Sequence, residues 1–284
     1  MIKITECPRD AMQGIKEFIP TSCKVTYLDL LLKAGFDRLD FGSFVSAKAI
    51  PQLKDTATVL SQLNLSNTST QLLAIIANIR GAQEASAYAE ITFLGFPFSI
   101  SETFQQRNTN AGIQQSIVNI DHILTICSES GKEPLIYLSM AFGNPYGDPW
   151  SPEIVSSYAN LLVKKGVKHL MLADTTGVST PATIKMLYQN LTKDFPYIDL
   201  GVHLHSTPES MLEKIQAAYE SGCRRFDTAL GGYGGCPMAS DKLTGNIATE
   251  ALLSFLQTKN IDSKIDQEAL QQAQYYSNQI FNRN

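Results

Sequence analysis

Residues 169–205 read HLMLADTTGVSTPATIKMLYQNLTKDFPYIDLGVHLH. The apolar run His169–Ala173 predicts a strand, and the polar cluster Asp174-Thr175-Thr176 ends it. Pro181–Asp194 carries helical spacing behind a proline suited to a helix start, and Asp199–His203 predicts a second strand. Strand, helix and strand in this order form a βαβ unit, whose strands run parallel through a right-handed crossover.

The same alternation extends in both directions. Further strands are predicted at Ile2–Thr5, Arg38–Phe41, Gln71–Ala77, Glu90–Phe96, Pro134–Met140 and Arg224–Asp227. Helices are predicted at Thr21–Ala34, Pro51–Leu63, Gly81–Tyr88, Ile113–Ser130, Pro152–Lys165 and Pro208–Gly222, with two more near Ile247–Thr258 and Asp266–Asn278. Eight strands, nearly all followed by a helix, predict an α/β fold of the (β/α)8 TIM barrel type. No linker divides the chain, so residues 1–284 are expected to form a single domain. Its barrel core covers about residues 1–258, and a C-terminal helical extension covers about 259–284. Polar clusters follow seven of the strands: Glu6–Asp10, Gly42-Ser43, Asn78, Asn144–Tyr146, Asp174–Thr176, His203–Thr207 and Gly231–Pro237. That distribution suits a ring of loops at one rim better than an open sheet, whose site sits at a single switch point.

Composition narrows the function classes. Hydrophobic residues make up 44% of the 284, far too many for a disordered chain, and a net charge of -4 gives no basic excess for nucleic acid. No apolar run reaches the roughly 18 residues of a membrane span. The start MIKITECPRD has neither an apolar signal core nor an amphipathic leader, so a cytoplasmic protein is expected. The five cysteines are irregularly spaced and form no C-x-x-C pair. Cys7, Cys23, Cys127 and Cys223 read as small core hydrophobes.

His203 and His205 stand two apart at a strand end. Both side chains therefore point the same way, about 6.6 Å apart along the strand, close enough to share one metal ion. Asp10, at the end of the first strand, would lie beside the eighth in a closed ring and converge on the same mouth. The alternative, a histidine capping a helix or bonding backbone, is weaker for a pair with an acidic partner. Arg9 offers a fixed positive charge for a developing oxyanion, or else an ion pair with Asp10 trimming a loop. Four glycines in Gly231–Gly235, followed by Cys236 and Pro237, cannot be a helix or an ordinary strand. A thiol there is placed to enter a closing site. Asn246 either caps the helix that follows or adds an amide oxygen to a metal shell.

Taken together, ECPRDAMQ from Glu6, SFVS-x-K from Ser43, P-x-x-x-D from Pro51, the H-L-H, GGCPMA and GNIATE from Gly245 resemble the hydroxymethylglutaryl-CoA lyase family of metal-dependent barrel lyases. The resemblance runs from Ile2 to about Phe255. It implies a dimeric barrel holding Mg²⁺ or Mn²⁺ through Asp10, His203, His205 and Asn246. It also implies that Arg9 meets the enolate oxygen of an acyl-CoA thioester, and that Cys236 handles a proton as acetyl-CoA forms. Asp40 falls where the family has a catalytic glutamate, and Asp174 matches its rim aspartate on the sixth strand. The implied reaction splits 3-hydroxy-3-methylglutaryl-CoA into acetoacetate and acetyl-CoA, a step of leucine breakdown. The chain departs from the family pattern at Asp40, at Ser206 in place of an aspartate, and in a Cys236–Asn246 stretch one residue longer.

Two other classes compete. Related Claisen-type synthases join acetyl-CoA to a 2-oxo acid, but usually carry extra C-terminal regions and Asn-Asp after H-x-H, which this chain lacks. A catalytically silent barrel with a binding role is disfavoured by the joint presence of Arg9, Asp10, His203, His205 and Cys236.

Overall fold

The computed structural model describes residues 1–235 and 244–281. Eight parallel strands close into a ring: β1 (Lys3–Glu6), β2 (Arg38–Ser43), β3 (Gln71–Ile75), β4 (Ile91–Ser99), β5 (Glu133–Ser139), β6 (His169–Asp174), β7 (Asp199–Ser206) and β8 (Arg225–Thr228). Each pairs with its neighbour in sequence, and β1 pairs with β8, Thr5 opposite Asp227, to complete the circle. A two-residue strand β9 (Gly245–Asn246) joins the end of β7 antiparallel, His205 opposite Asn246.

The helices follow the strands around the outside: α1 (Pro8–Gln13), α2 (Thr21–Ala34), α3 (Thr56–Leu60), α4 (Ile79–Ser86), α5 (Glu102–Thr109), α6 (Ile113–Ser130), α7 (Pro152–Lys164), α8 (Pro181–Asp194), α9 (Met211–Glu220), α10 (Thr249–Thr258) and α11 (Gln267–Phe281). The expected barrel with an added C-terminal helix is therefore present. Four local expectations change. Pro51–Leu63 is not one helix but a 3-10 turn at Pro51–Leu53 followed by α3. The helix expected from Pro208 starts at Met211. The segment Arg9-Asp10 is helical, because Pro8 supplies the pre-set backbone angle of a first helical position. Helix α5, unforeseen, starts where Ser101 accepts the Phe104 amide N–H. Asn78, counted among the rim clusters, serves as the cap of α4, accepting the Gly81 N–H.

Strand alternation splits the apolar side chains into two separate clusters. Outward residues such as Leu39, Leu94, Leu138, Leu172 and Val202 pack against the helices. Inward residues Leu73, Ile75, Phe93, Leu135, Tyr137 and Met171 fill the barrel. Strands covered on both faces explain why so few residues are charged. Cys7, Cys127 and Cys223 are buried as expected, whereas Cys23 is only half-buried.

The floor of the barrel is charged. The Arg38 guanidinium lies 3.7 Å from the Phe93 ring centre and donates to Asp199 at 3.2 Å. His169 Nδ1 lies 2.9 Å from the same carboxylate, and Arg225 donates to Asp37 at 2.7 Å. Stacking and pairing let these long side chains close the bottom of the ring where solvent would otherwise enter. Above the floor, Gly201 leaves room for larger neighbours. A Cβ there would sit 2.6 Å from Met171 Sδ and 2.9 Å from Arg225 Cγ.

Outside the barrel wall, the fully buried Glu6 carboxyl joins the end of β1 to the segments that follow β8 at the same rim. It accepts the Leu230 N–H at 2.7 Å and the Thr249 hydroxyl at 2.5 Å. Burial pushes its pKa up to about 8, against the lowering effect of those bonds.

Gly201→Ala is expected to cost about 1–3 kcal/mol by overpacking the ring interior. Urea unfolding of the variant checks this, and a loss too small to resolve would show that Met171 and Arg225 move aside freely.

Candidate active site

The ring brings Asp10, His203 and His205 together at its C-terminal mouth, with one ligand atom of each within 4.8 Å of the others. Both histidines face inward on β7, as period two requires, and their Nε2 atoms are 3.2 Å apart. Each ring is fixed from behind. His203 Nδ1 lies 3.2 Å from the Asp227 carboxylate, and His205 Nδ1 lies 3.1 Å from the Thr175 carbonyl. Acceptors at both Nδ1 positions favour a proton there, which turns each Nε2 toward the other. Two facing imidazole nitrogens beside a carboxylate call for a positive charge between them, a proton carried by His203 or a metal ion. This donor set fits a divalent ion, with two imidazoles and one anionic oxygen.

The local electrostatics agree. Burial would raise the Asp10 pKa, but Arg9 and the two histidines outweigh it and hold the carboxyl down at about 2. Burial and the neighbouring His203 outweigh Asp10, Asp174 and the Thr175 carbonyl and keep His205 low, at about 4, so its ring is neutral and available as a ligand. For His203, burial is overcome by the bond to Asp227, and its pKa is raised.

Asn246 is not the cap of α10. It lies in β9, three residues before that helix, and its side-chain amide donates to Asp10 at 2.6 Å and to the Tyr233 carbonyl at 2.8 Å. Arg9 projects from α1 into the mouth, where it makes the expected ion pair with Asp10 and a second pair with Asp40. Its guanidinium donates to Asp40 through Nε and Nη2, at 3.0 and 2.6 Å, and to Asp10 through Nη1 at 3.0 Å. Asp40 is fully buried, and burial pushes its pKa up to about 6 despite the arginine. Arg9 stays charged throughout, because burial is outweighed by the two carboxylates.

Asp174 is brought to the same rim but not to the same cavity. Its side chain turns behind the wall, where Ser179 and the Lys214 ammonium, 2.9 Å away, hold it. In the loop after β8, Gly231, Gly232, Gly234 and Gly235 all have left-handed backbone angles, between φ 68° and 132°. A Cβ on Gly234 would meet Asn246 Nδ2 at 2.5 Å, so only glycine lets this chain pass so close to the cluster. Cys236, which follows, lies outside the described residues.

The cavity over this cluster is about 1010 Å³, counted to its open mouth. Arg9, Gln13, Asn108, Tyr137, Ser139 and Thr175 supply polar groups, set among apolar Val45, Ile50, Ile75, Pro97 and Phe104. Several of these residues were not apparent from the sequence. Asp227 lies two positions after Arg225 on a buried strand, and that inward period-two acid was a usable signal. Thr175 acts through its backbone carbonyl, which no side-chain pattern reveals. Lys214 falls in line with Met211, Ala217 and Ala218 on the apolar side of α9, where a lysine is unexpected.

Among the described residues no helix is long and apolar enough to cross a membrane. The chain is 32% identical over 285 residues to the mitochondrial hydroxymethylglutaryl-CoA lyase of Bos taurus, covering 99% of this chain and 86% of that protein. It is 30% identical over 275 residues to the cytoplasmic 3-hydroxy-3-methylglutaryl-CoA lyase of Rattus norvegicus, covering 96% and 79%. A solved HMG-CoA lyase from Acinetobacter baumannii, in complex with coenzyme A and 3-methylmalate, superposes with a TM-score of 0.92. That structure is 31% identical, and the match covers all of this chain and 92% of the other. The HMGL-like family model matches residues 2–276, and the chain belongs to that family.

Proposed function

We propose that this protein is a divalent-metal-dependent carbon–carbon lyase that cleaves 3-hydroxy-3-methylglutaryl-CoA, or a close 3-hydroxyacyl-CoA, into acetoacetate and acetyl-CoA. The observation that carries this reading is the pair of imidazole Nε2 atoms facing across 3.2 Å beside Asp10, with the Arg9 guanidinium at the edge of the same cavity. Family membership and the coenzyme A complex of the Acinetobacter relative support the acyl-CoA class. An acyl-CoA partner, a homodimer and a cytoplasmic location belong to the same proposal. The absence of disulfides among the described cysteines suits a reducing compartment.

Asp10, His203 and His205 would hold Mg²⁺ or Mn²⁺, with Asn246 steadying Asp10 or turning its own amide oxygen inward. Such an ion supplies Lewis acidity to the hydroxyl and carboxylate oxygens of a substrate. The remaining chemistry falls to the chain itself. As the hydroxyl gives up its proton to a carboxylate of the mouth and becomes the ketone of acetoacetate, the bond from its carbon to the thioester's α-carbon breaks and sends an electron pair toward the thioester carbonyl. Arg9, already oriented by Asp40, meets the negative charge that develops on that oxygen without having to reorganise. The apolar lining excludes water from the carbanion-like carbon, and Cys236 would deliver the proton that completes acetyl-CoA. Asp40 sets the direction of Arg9 rather than reacting itself, because both its oxygens are engaged by that guanidinium.

With Mn²⁺ or Mg²⁺ present, the protein is expected to release acetyl-CoA from at least one member of a panel of 3-hydroxy-3-alkyl-acyl-CoA thioesters. His203→Ala should lose metal affinity and turnover together. No cleavage across the panel by metal-loaded protein would sink the reading.

Arg9→Met should keep the metal and lower kcat by roughly 10²–10³, as for removal of one oxyanion donor. Steady-state kinetics at saturating metal decide this. Cys236→Ala should likewise bind metal normally but lose turnover; a normal rate would remove the thiol from the mechanism. On the acid side, kcat/KM should fall as pH drops through about 6, where Asp40 takes up a proton and releases Arg9. The pH profile of Asp40→Asn should lack that limb.

A further inference from the structure

Lys214 is an ammonium with almost no access to water, its side chain 2% exposed, on the inner face of α9. It makes three contacts at hydrogen-bond distance: to Asp174 Oδ2 at 2.9 Å, the Gly177 carbonyl at 2.9 Å and the His205 carbonyl at 2.8 Å. The first two lie at the end of β6 and in the loop beyond it; the third is the backbone of a proposed metal ligand. Three acceptors match the three hydrogens of an ammonium, so the group is saturated in this position.

The same loop carries Thr175, and the Thr175 carbonyl is the acceptor that fixes the His205 ring through Nδ1. Thr175 is held in turn, its hydroxyl accepting the Met140 N–H at 3.0 Å. Lys214 therefore grips both parts of one device: the backbone from which the imidazole projects, and the loop that decides which ring nitrogen keeps the proton. Ser179 completes the arrangement by donating its hydroxyl and its amide to Asp174. The next residue on β7, Ser206, is buried, and its hydroxyl has no hydrogen-bond partner. Support of this strand end is therefore shared between its pairing with β9 and the lysine.

A buried ion pair is a poor source of stability. Removing two charges from water costs several kcal/mol, and apolar replacements are often neutral or better. What Lys214 provides is direction. We propose that Lys214, with Asp174, is a positioning residue that holds His205 in the orientation and tautomer needed to bind the divalent ion. This rests on the metal-lyase reading above, and it assigns Asp174 a place behind the site rather than a part in the reaction.

The test separates positioning from stability. Lys214→Met alone leaves the Asp174 carboxylate buried and unpaired, and the variant risks misfolding. Lys214→Met/Asp174→Asn removes both charges while keeping an acceptor for Ser179. The double variant should melt close to the wild type without metal, yet bind Mn²⁺ about 10–100-fold more weakly, as for the loss of a group that orients a ligand. Mn²⁺ titration by electron paramagnetic resonance reads the affinity, and ¹⁵N chemical shifts of the imidazoles read the His205 tautomer. Wild-type Mn²⁺ affinity and an unchanged tautomer in a folded double variant would overturn the positioning role and leave the lyase reading standing. Wild-type protein that binds no Mn²⁺ would overturn the metal reading, and this proposal with it.

Discussion

The pairing of β1 with β8 is the constraint on which the site depends. It sets Thr5 opposite Asp227 and so carries the end of the first strand round to the seventh and eighth. Asp10 and the two histidines are nearly 200 positions apart in the chain, and only closure of the ring makes them neighbours. Once closed, the ring also dictates which residues face inward, because alternation leaves no freedom after one residue per strand is fixed. Asp40, Asp227, His203 and His205 all point into the barrel for that reason.

Closure also gives the interior two unlike ends. Arg38, Arg225, His169 and the carboxylates of Asp37 and Asp199 seal the floor, with guanidinium charges paired or stacked on Phe93. At the mouth, charges are left to face a cavity. A middle layer of Leu73, Ile75, Leu135, Tyr137 and Met171 lies between these ends. Fixed charge at the mouth is thus held over a rigid, apolar base, which is the arrangement that electrostatic preorganisation requires.

Much of this was legible in the sequence. Strand periodicity placed all eight strands, because parallel strands buried on both faces leave long apolar runs between helical segments. The H-L-H pattern was legible because spacing of two on a strand has one geometric meaning. Less visible were features set by the backbone or by one local residue. Pro8 turned Arg9-Asp10 into the start of a helix, and Ser101 began α5. Of the two readings of Asn246, helix cap or metal-shell amide, the cap is removed by a short pairing with the end of β7 that comes before the helix. Asp174 carried the signal of a rim acid, but alternation from the outward Leu172 turns it behind the wall, where Lys214, far along the chain, pairs with it. Long-range partners of this kind leave no local trace.

Glu6 gives the molecule a different acid–base character from its composition. The formal charge of -4 counts Glu6 as ionised, yet in the folded chain it is mostly neutral at pH 7, with its pKa raised to about 8 from 4.5. Below about pH 4.5 both the folded and unfolded chains hold this proton, and folding is indifferent to it. Between there and pH 8 only the folded chain keeps it, so folding consumes a proton and the Glu6 contribution to stability declines steadily as pH rises. The carboxyl that accepts from Leu230 and Thr249 therefore makes mild alkalinity a matter of solvation. The stems of the glycine-rich loop are anchored on a group that, once ionised, must hold its charge away from water.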